Sequence, residues 1–330
     1  MWITADQASL FLRNSTCQIP LCEDDPYPPL RESNDEIDRG TIHFQMHLPG
    51  IIRIIRPANA TISGATAILA YFIATGTLIP EVLLAAAAAL LITAAGNTIN
   101  DACDAVIDAI NRPDRPIPSG ELSEKTAYLY AALLFMLGLS AALFTNPICL
   151  AIAIINSILL ILYARILKGT VLFGNISVAY LSGSIFLFGG ALAGVDGLII
   201  TLPLAGITLF GTLAREILKD AEDVDGDAAG GTTTLPMAIG ISRSGTIAFG
   251  SAIIAVIISF IPFLWWGLPY LVGIAVVDLA ILRLVWPTVR CRTPACIREL
   301  GITTQLKYMM YIALLIFLIA SAIDIFMPMK

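Results

Sequence analysis

Two short stretches of this 330-residue chain carry acidic and amide side chains at a spacing suited to binding a metal ion. Their members recur three or four residues apart, and they are Asn100, Asp104 and Asp108 in the first stretch and Asp220, Asp223 and Asp227 in the second. Residues with that spacing share one face of an α-helix, so each stretch predicts an acidic helix face. Asp101 fits the first face equally well in place of Asn100.

Each stretch ends a long apolar run, where uncompensated negative charge is costly. A solvated helix end is the alternative, but it needs no facewise spacing and is not expected twice. The side chains offer only hard oxygen ligands, which favour Mg²⁺ over zinc or copper. Because Mg²⁺ takes few protein carboxylates and completes its shell with water or phosphate oxygens, the two stretches predict two Mg²⁺ ions bridged by a diphosphate. All six residues are predicted metal ligands, and those also predicted to be catalytic are Asp104, Asp108, Asp223 and Asp227.

Basic and polar side chains near these stretches are candidates for binding substrate, mainly through its phosphate oxygens. They are Arg56, Asn59, Arg112, Arg115, Tyr163, Lys168 and Lys219. The alternative for each basic residue is a topological signal alone, because positive side chains concentrate on the cytoplasmic side of a membrane protein. For Arg112 and Lys168 we favour substrate binding over that alternative, since Arg112 follows the first stretch and Lys168 lies close to Tyr163. Asn59 enters an apolar segment and therefore needs a polar partner.

The composition predicts an all-α membrane protein with many spans. Hydrophobic residues make up 57% of the chain, charged residues 13%, and the mean hydropathy is +0.84. Soluble domains carry about 25% charged residues. A soluble enzyme with one anchor is therefore excluded, and nucleic-acid binding is not expected, because no basic run occurs outside the loops.

Nine apolar segments are long enough to cross a bilayer. They are residues 57–76, 81–100, 126–144, 147–164, 171–193, 198–218, 244–262, 267–286 and 306–327. With a cytoplasmic N-terminus, every lysine and arginine except Lys330 falls on the cytoplasmic side, as the positive-inside rule requires. The acidic stretches then lie at the cytoplasmic ends of the second and sixth segments. We predict a multi-pass cell-membrane protein whose N-terminus and active-site loops are cytoplasmic.

The chain divides into a tail and a membrane domain. Residues 1–45 are polar and rich in acids and proline, which predicts a disordered tail, and residues 46–330 form the membrane domain. Within that domain each acidic stretch is followed by a loop containing Gly and Pro, which suggests a duplicated four-helix unit. Phe186 and Phe188 in the fifth segment are interpreted as ordinary helix packing or lipid contact, with lining of an apolar cavity as the alternative.

The motifs NDACDAVIDAINRPDRPIPSG and REILKDAEDVDGDAAGGTTTLP resemble those of the UbiA family of intramembrane prenyltransferases. The resemblance covers roughly residues 50–330. It implies a bundle of nine transmembrane helices around a central cavity that is open towards the cytoplasmic side and sideways to lipid. It also implies two Mg²⁺ ions and an isoprenyl diphosphate donor. The family pattern NxxxDxxxD maps onto Asn100, Asp104 and Asp108, and the pattern DxxxD maps onto Asp223 and Asp227.

Within that family, the sequences of both motifs are most similar to those of the branch that makes archaeal ether lipids. This implies transfer of a geranylgeranyl group from geranylgeranyl diphosphate to the hydroxyl of geranylgeranylglyceryl phosphate. The partners implied are the prenyl diphosphate donor, a lipid-like acceptor and the bilayer, with no protein partner. Family members with a chlorin acceptor share NRPxRPIPSG, so an aromatic quinone precursor or a chlorin remains an alternative acceptor.

Two further classes compete with a prenyltransferase. A cation-coupled transporter should carry its carboxylates in mid-span on broken helices, whereas these lie beside loops at the cytoplasmic ends. A CDP-alcohol phosphotransferase also uses spaced aspartates, but its DG…AR…G sequence is absent.

Overall fold

The computed structural model describes residues 49–229 and 232–326, and these residues form helices and connecting loops without a β-strand. Nine helices in them are long and apolar enough to cross a membrane. They are α1 Pro57–Thr75, α2 Glu81–Cys103, α3 Glu124–Leu143, α4 Pro147–Arg165, α5 Phe173–Ala191, α6 Gly194–Glu222, α7 Ile241–Ser259, α8 Phe263–Val285 and α9 Ile302–Phe326. The predicted all-α bundle of nine spans is confirmed, while the predicted tail at 1–45 lies outside the described residues.

Local sequence explains several helix boundaries. The Ser123 hydroxyl caps α3 by accepting a hydrogen bond from the Thr126 amide at 3.1 Å. Asn146 caps α4 in the same way through the Cys149 amide, and Pro147 occupies the first helical position. The largest departure from the predicted bounds is α6, which continues past residue 218 to Glu222. The apolar sequence ends at the charged residues there, but the helical backbone hydrogen bonds continue.

Small residues allow the site-bearing helices to pack closely. Helix α2 packs on α1 and α3, α6 packs on α5 and α7, and α1 contacts α5. A Cβ atom on Gly64 of α1 would lie 3.0 Å from the carbonyl oxygen of Ala86 in α2. At the α5–α6 contact, a Cβ atom on Gly183 would lie 2.5 Å from the carbonyl oxygen of Ala205. These contacts fix the pairs α1–α2 and α5–α6, which carry the two acidic stretches.

The first and second four-helix units begin in the same unusual way. Arg56 precedes α1 with φ of 50°, and Leu172 precedes α5 with φ of 69°. Among the described residues, these are the non-glycine positions with positive φ. An asparagine follows each of them three residues later, Asn59 in α1 and Asn175 in α5. The ψ angles differ, at 72° for Arg56 and −33° for Leu172, so the features that support a duplicated helical unit are the positive φ and the asparagine three residues later.

Candidate active site

Both acidic stretches break their helix at the middle carboxylate. Asp104 ends α2 with φ/ψ of −90°/2°, and Asp223 ends α6 with −100°/8°. The backbone amide of Asp108 then bonds the Asp104 carbonyl at 2.8 Å, and that of Asp227 bonds the Asp223 carbonyl at 2.9 Å. The short helices that follow are Ala105–Asn111 and Val224–Ala229. The two stretches are therefore the same structural motif used twice.

A single cavity of about 940 Å³ brings the two motifs together. All but one of the residues predicted from the sequence line it. The predicted residues that line the cavity are Arg56, Asn59, Asn100, Asp104, Asp108, Arg112, Arg115, Tyr163, Lys168, Lys219, Asp223 and Asp227. The exception is Asp220. Polar groups thus converge at one end of a cavity whose remaining wall is largely aliphatic and aromatic.

The buried carboxylates of the first motif contact basic side chains. Lys168 forms an ion pair with Asp104, and Arg115 forms one with Asp108. The Asn100 amide donates to Asp104 Oδ2 at 2.9 Å, which fixes the carboxylate orientation. Asp104 and Asp108 are 6% and 5% exposed, and burying a carboxylate is costly unless a positive or hydrogen-bonding group lies beside it.

Asp101 is a residue whose position the sequence left ambiguous. The spacing allowed either Asn100 or Asp101 on the acidic face, and the structure places Asn100 on the cavity and Asp101 behind its wall. Asp101 is 4% exposed and accepts hydrogen bonds from Arg56 at 2.5 Å and Arg115 at 3.1 Å. One buried carboxylate thus holds two guanidinium groups that line the cavity.

The loop after the first motif is held by the segment that precedes α1. Arg53 donates to the Asp114 carbonyl oxygen and to the Glu121 carboxylate, both at 2.5 Å. Ile54 is fully buried against Ala102 and Ala127. These contacts keep the proline-rich loop that carries Arg112 and Arg115 over the cavity.

The second motif is more exposed than the first. Asp223 is exposed and Asp227 is half-buried. Burial raises the pKa of Asp227, and the neighbouring Asp223 charge raises it further, while Lys219 and Lys168 lower it. A bound cation would act in the same direction as these lysines.

Two glutamates of α6 also line the cavity, although they were not among the predicted site residues. Glu216 pairs with Arg215 and lies 3.9 Å from Lys219, and Glu222 accepts a hydrogen bond from Thr303 at 2.9 Å. Glu216 lies about two turns before Asp223 and Glu222 directly precedes it, and this proximity to the second motif was the available signal. Phe186 and Phe188, interpreted from the sequence as ordinary packing, also line the cavity.

Asp220 has a different environment from its neighbours. The Asn175 amide donates to Asp220 Oδ2 at 2.8 Å, and the carboxylate lies off the cavity wall. Asp220 follows Lys219 as Asp101 follows Asn100, so the half-buried Asp220 and the buried Asp101 hold equivalent positions in the repeated motif. The sequence prediction that Asp220 binds metal competes with a purely positioning role.

An Asp220→Asn variant should distinguish these roles. An asparagine carbonyl accepts the same hydrogen bond from Asn175. If Asp220 only positions α6, turnover should fall by no more than about tenfold, the worth of one ordinary hydrogen bond of about 1 kcal/mol. Turnover measured against Mg²⁺ concentration checks this, with Asn175→Ala as the matched variant. A hundredfold loss together with a raised Mg²⁺ requirement would restore Asp220 as a ligand.

The oxygen ligands that the two motifs offer suit Mg²⁺ in combination with a phosphate ligand. Among the described residues, no group of three or more His, Cys, Asp or Glu side chains is arranged to enclose a metal ion. An all-protein zinc or calcium site therefore does not fit. Mg²⁺ requires only one or two protein carboxylates when phosphate oxygens and water complete its octahedron. The carboxylates of the two motifs, with Asn100, satisfy that requirement.

Comparison with known proteins agrees with this geometry. A sequence profile of the UbiA prenyltransferase family matches residues 63–314. A digeranylgeranylglyceryl phosphate synthase from Methanoculleus marisnigri is 56% identical over 279 residues, which cover 84% of this chain and all of the relative. A solved structure concerning digeranylgeranylglyceryl phosphate synthase in membranes is 33% identical, with a TM-score of 0.73 over 82% of this chain and 97% of the other.

A more distant structure shares the fold. It is a UbiA homolog from Archaeoglobus fulgidus bound to GPP and Mg²⁺, 18% identical to this chain. Its TM-score is 0.54, and the match covers 80% of this chain and 99% of the other.

Proposed function

This chain belongs to the UbiA prenyltransferase family, and from that membership we propose that it transfers a geranylgeranyl group to geranylgeranylglyceryl phosphate, as a digeranylgeranylglyceryl phosphate synthase does. The observation that carries the proposal is the convergence of both acidic motifs and several basic side chains at the polar end of one apolar cavity. The 56% identity over the full length of a synthase supports the choice of donor and acceptor.

The acidic residues of the two motifs would hold two Mg²⁺ ions and, through them, the donor diphosphate. The proposed ligands are Asn100, Asp104, Asp108, Asp223 and Asp227. When bound, Mg²⁺ neutralises charge on the diphosphate and makes it a better leaving group. The fold brings the proposed ligands together, because two acidic helix ends with similar backbone geometry line one cavity.

The basic residues at the cavity mouth bind phosphate oxygens. Lys168 and Arg115 lie against the first motif, and Lys219 lies in the second. Arg56 and Arg112 line the same cavity and, with Tyr163 and Asn59, complete the proposed substrate-binding set. Two phosphate-bearing substrates must be accommodated, which accounts for more positive groups than one diphosphate requires.

The reaction forms one ether bond and breaks one phosphate ester bond. The acceptor hydroxyl oxygen bonds to C1 of the geranylgeranyl group, and the C1–O bond to diphosphate breaks. Preorganised positive charge at the mouth stabilises the departing diphosphate while allylic cation character develops at C1. No described residue is a histidine, so the hydroxyl proton passes to a carboxylate, a phosphate oxygen or water.

The apolar remainder of the cavity receives the donor chain and excludes water from the developing cation. The nine apolar helices of residues 49–229 and 232–326 make this a multi-pass membrane protein. The distribution of lysine and arginine supports a cytoplasmic N-terminus and cytoplasmic active-site loops. Both substrates would therefore enter with their phosphates at the cytoplasmic surface of the cell membrane.

An acceptor panel tests the proposal. Purified protein in lipid nanodiscs is given labelled geranylgeranyl diphosphate and Mg²⁺ with one of three acceptors, and products are identified by mass spectrometry. We expect the ether product with geranylgeranylglyceryl phosphate, at least about a hundredfold faster than with a quinone precursor or a chlorin. Preferential prenylation of either aromatic acceptor would overturn the acceptor assignment, and failure to release diphosphate with any acceptor would overturn the enzyme class.

A further inference from the structure

Two buried phenylalanines that contact each other line the deep part of the cavity between α5 and α9. Phe186 of α5 and Phe317 of α9 both line it, and they are 3% and 2% exposed. Their ring centroids are 6.4 Å apart, and the planes meet at 80° in an edge-to-face contact. The two rings thus close the space between α5 and α9.

Two more aromatic residues lie beneath this contact and do not line the cavity. Trp266 and Tyr270 pack on the Phe317 ring with centroid distances of 6.2 and 6.3 Å, and on each other at 5.1 Å. The Tyr270 hydroxyl donates to the Ser259 carbonyl at 2.8 Å, which ties α8 to the end of α7. A close-packed layer of this kind resists displacement by a flexible apolar chain.

The depth of this aromatic floor can be compared with the length of a prenyl chain. Asn175 binds Asp220, so the start of α5 lies at the level of the second acidic motif. Phe186 lies thirteen residues after the first residue of α5, roughly 20 Å along the helix. Phe317 lies fifteen residues after the first residue of α9, roughly 22 Å along it.

A geranylgeranyl chain matches this depth. Its main chain has sixteen carbons, and at about 1.25 Å of rise per carbon–carbon bond it extends roughly 19 Å. One further isoprene unit adds four main-chain carbons, or roughly 5 Å. A 20-carbon chain anchored at the acidic motifs therefore reaches the floor, and a 25-carbon chain must displace it or bend.

We propose that Phe186 and Phe317 form a floor that limits the donor to isoprenyl diphosphates of 20 carbons or fewer. This inference rests on the proposed function, because it assumes that the diphosphate is held at the acidic motifs. It adds a specificity determinant about 20 Å from the reacting atoms, in a part of the cavity without phosphate-binding groups. Removing either ring extends the space into the volume that the ring occupied.

A competition assay tests the floor. Wild type, Phe317→Ala and Phe186→Ala each receive equal amounts of the 20-carbon and 25-carbon diphosphates with one acceptor, and mass spectrometry gives the product ratio. The wild type should favour the 20-carbon donor by about tenfold or more, and each variant should raise the relative use of the 25-carbon donor by about tenfold. Because both donors compete in one sample, the ratio does not depend on how much protein is folded.

The control is Phe249→Ala. Phe249 packs against the Trp286 ring at 5.1 Å and does not line the cavity. This variant should keep the wild-type ratio, which separates a specific floor effect from general loosening of the bundle. If the alanine variants do not accumulate, Phe317→Leu and Phe186→Leu shorten the same side chains and should shift the ratio in the same direction.

Three results would overturn the floor. They are an equal use of both donors by the wild type, an unchanged ratio in the Phe317 and Phe186 variants, and an equal shift in Phe249→Ala. Failure of the proposed function gives a different pattern. If another acceptor is prenylated instead, the acceptor assignment fails while the donor ratio still tests the floor.

Discussion

Asp104→Asn is expected to lower the turnover number for prenyl transfer by about a thousandfold or more while leaving the folded protein in the membrane. Asparagine has nearly the same shape as aspartate but carries no charge, so the variant removes a proposed metal ligand without creating a cavity. Asp104 also contacts Lys168 and Asn100, and both hydrogen bonds can form with the asparagine carbonyl. A loss of this size would therefore report the missing charge. Because Asp223 holds the same place in the second motif, Asp223→Asn should give a loss of the same order.

The matched control is Asp225→Asn, two residues from Asp223. Its side chain is 75% exposed and pairs with Arg298 at 2.7 Å, where a single ion pair contributes little. Turnover of the control should stay within about twofold of wild type. The measurements are single-time-point product formation and thermal stability in nanodiscs. If Asp104→Asn and Asp223→Asn both kept a tenth or more of wild-type turnover, the proposed ligand set would be wrong.

Chelation of divalent metal is expected to reduce turnover below detection. Four carboxylates and a diphosphate would otherwise meet at one end of the cavity, and their mutual repulsion opposes donor binding. Lys168 and Arg115 offset only part of this repulsion, because each also pairs with a carboxylate of the first motif. Adding Mg²⁺ after the chelator should restore full activity, since Mg²⁺ accepts one or two carboxylates together with phosphate oxygens.

The control for chelation is the stability of the protein. The nine helices pack through apolar and small residues, so thermal stability without substrate should change little when metal is removed. Activity and stability are measured on the same sample before chelation, after chelation and after Mg²⁺ is returned. Undiminished turnover in excess chelator would exclude metal-assisted departure of diphosphate.

The sequence predicted the parts of the fold that depend on local pattern. Apolar length and the distribution of lysine and arginine predicted nine spans, because both depend on composition along the chain. The recurring spacing identified Asp104 and Asp223, because every fourth residue stays on one helix face. The predicted sixth segment ended before the last turn of α6, because the apolar sequence stops at Lys219 and hydropathy does not measure backbone hydrogen bonding.

What the sequence left undecided depends on contacts between helices. Spacing placed Asp101 and Asn100 equally well on the acidic face. Asp101 lies behind the cavity wall because it contacts Arg56, which precedes α1, and Arg115, which lies in the loop after the first motif. Asp220 has the same ambiguity, and its partner Asn175 lies 45 residues earlier. No spacing rule within one helix contains that information.

Phe186 illustrates the same limit on the apolar side. A phenylalanine in an apolar span is compatible with lipid contact, helix packing or a cavity wall. Its partner Phe317 comes from the ninth helix, so the aromatic floor exists only after α5 and α9 meet. Internal duplication was likewise suggested by the motifs, and the positive φ values at Arg56 and Leu172 support it from the backbone.

The central claim is that the two acidic motifs jointly hold a metal pair around the donor diphosphate, and counting bound metal tests it most directly. Protein is saturated with Mn²⁺ in place of Mg²⁺, together with an unreactive thio-analogue of geranylgeranyl diphosphate, and examined by electron paramagnetic resonance. Two spin-coupled ions per chain, about 4 Å apart, are expected in wild type, with the coupling lost in both Asp104→Asn and Asp223→Asn. One isolated ion, or a coupled pair that persists in either variant, would contradict the claim.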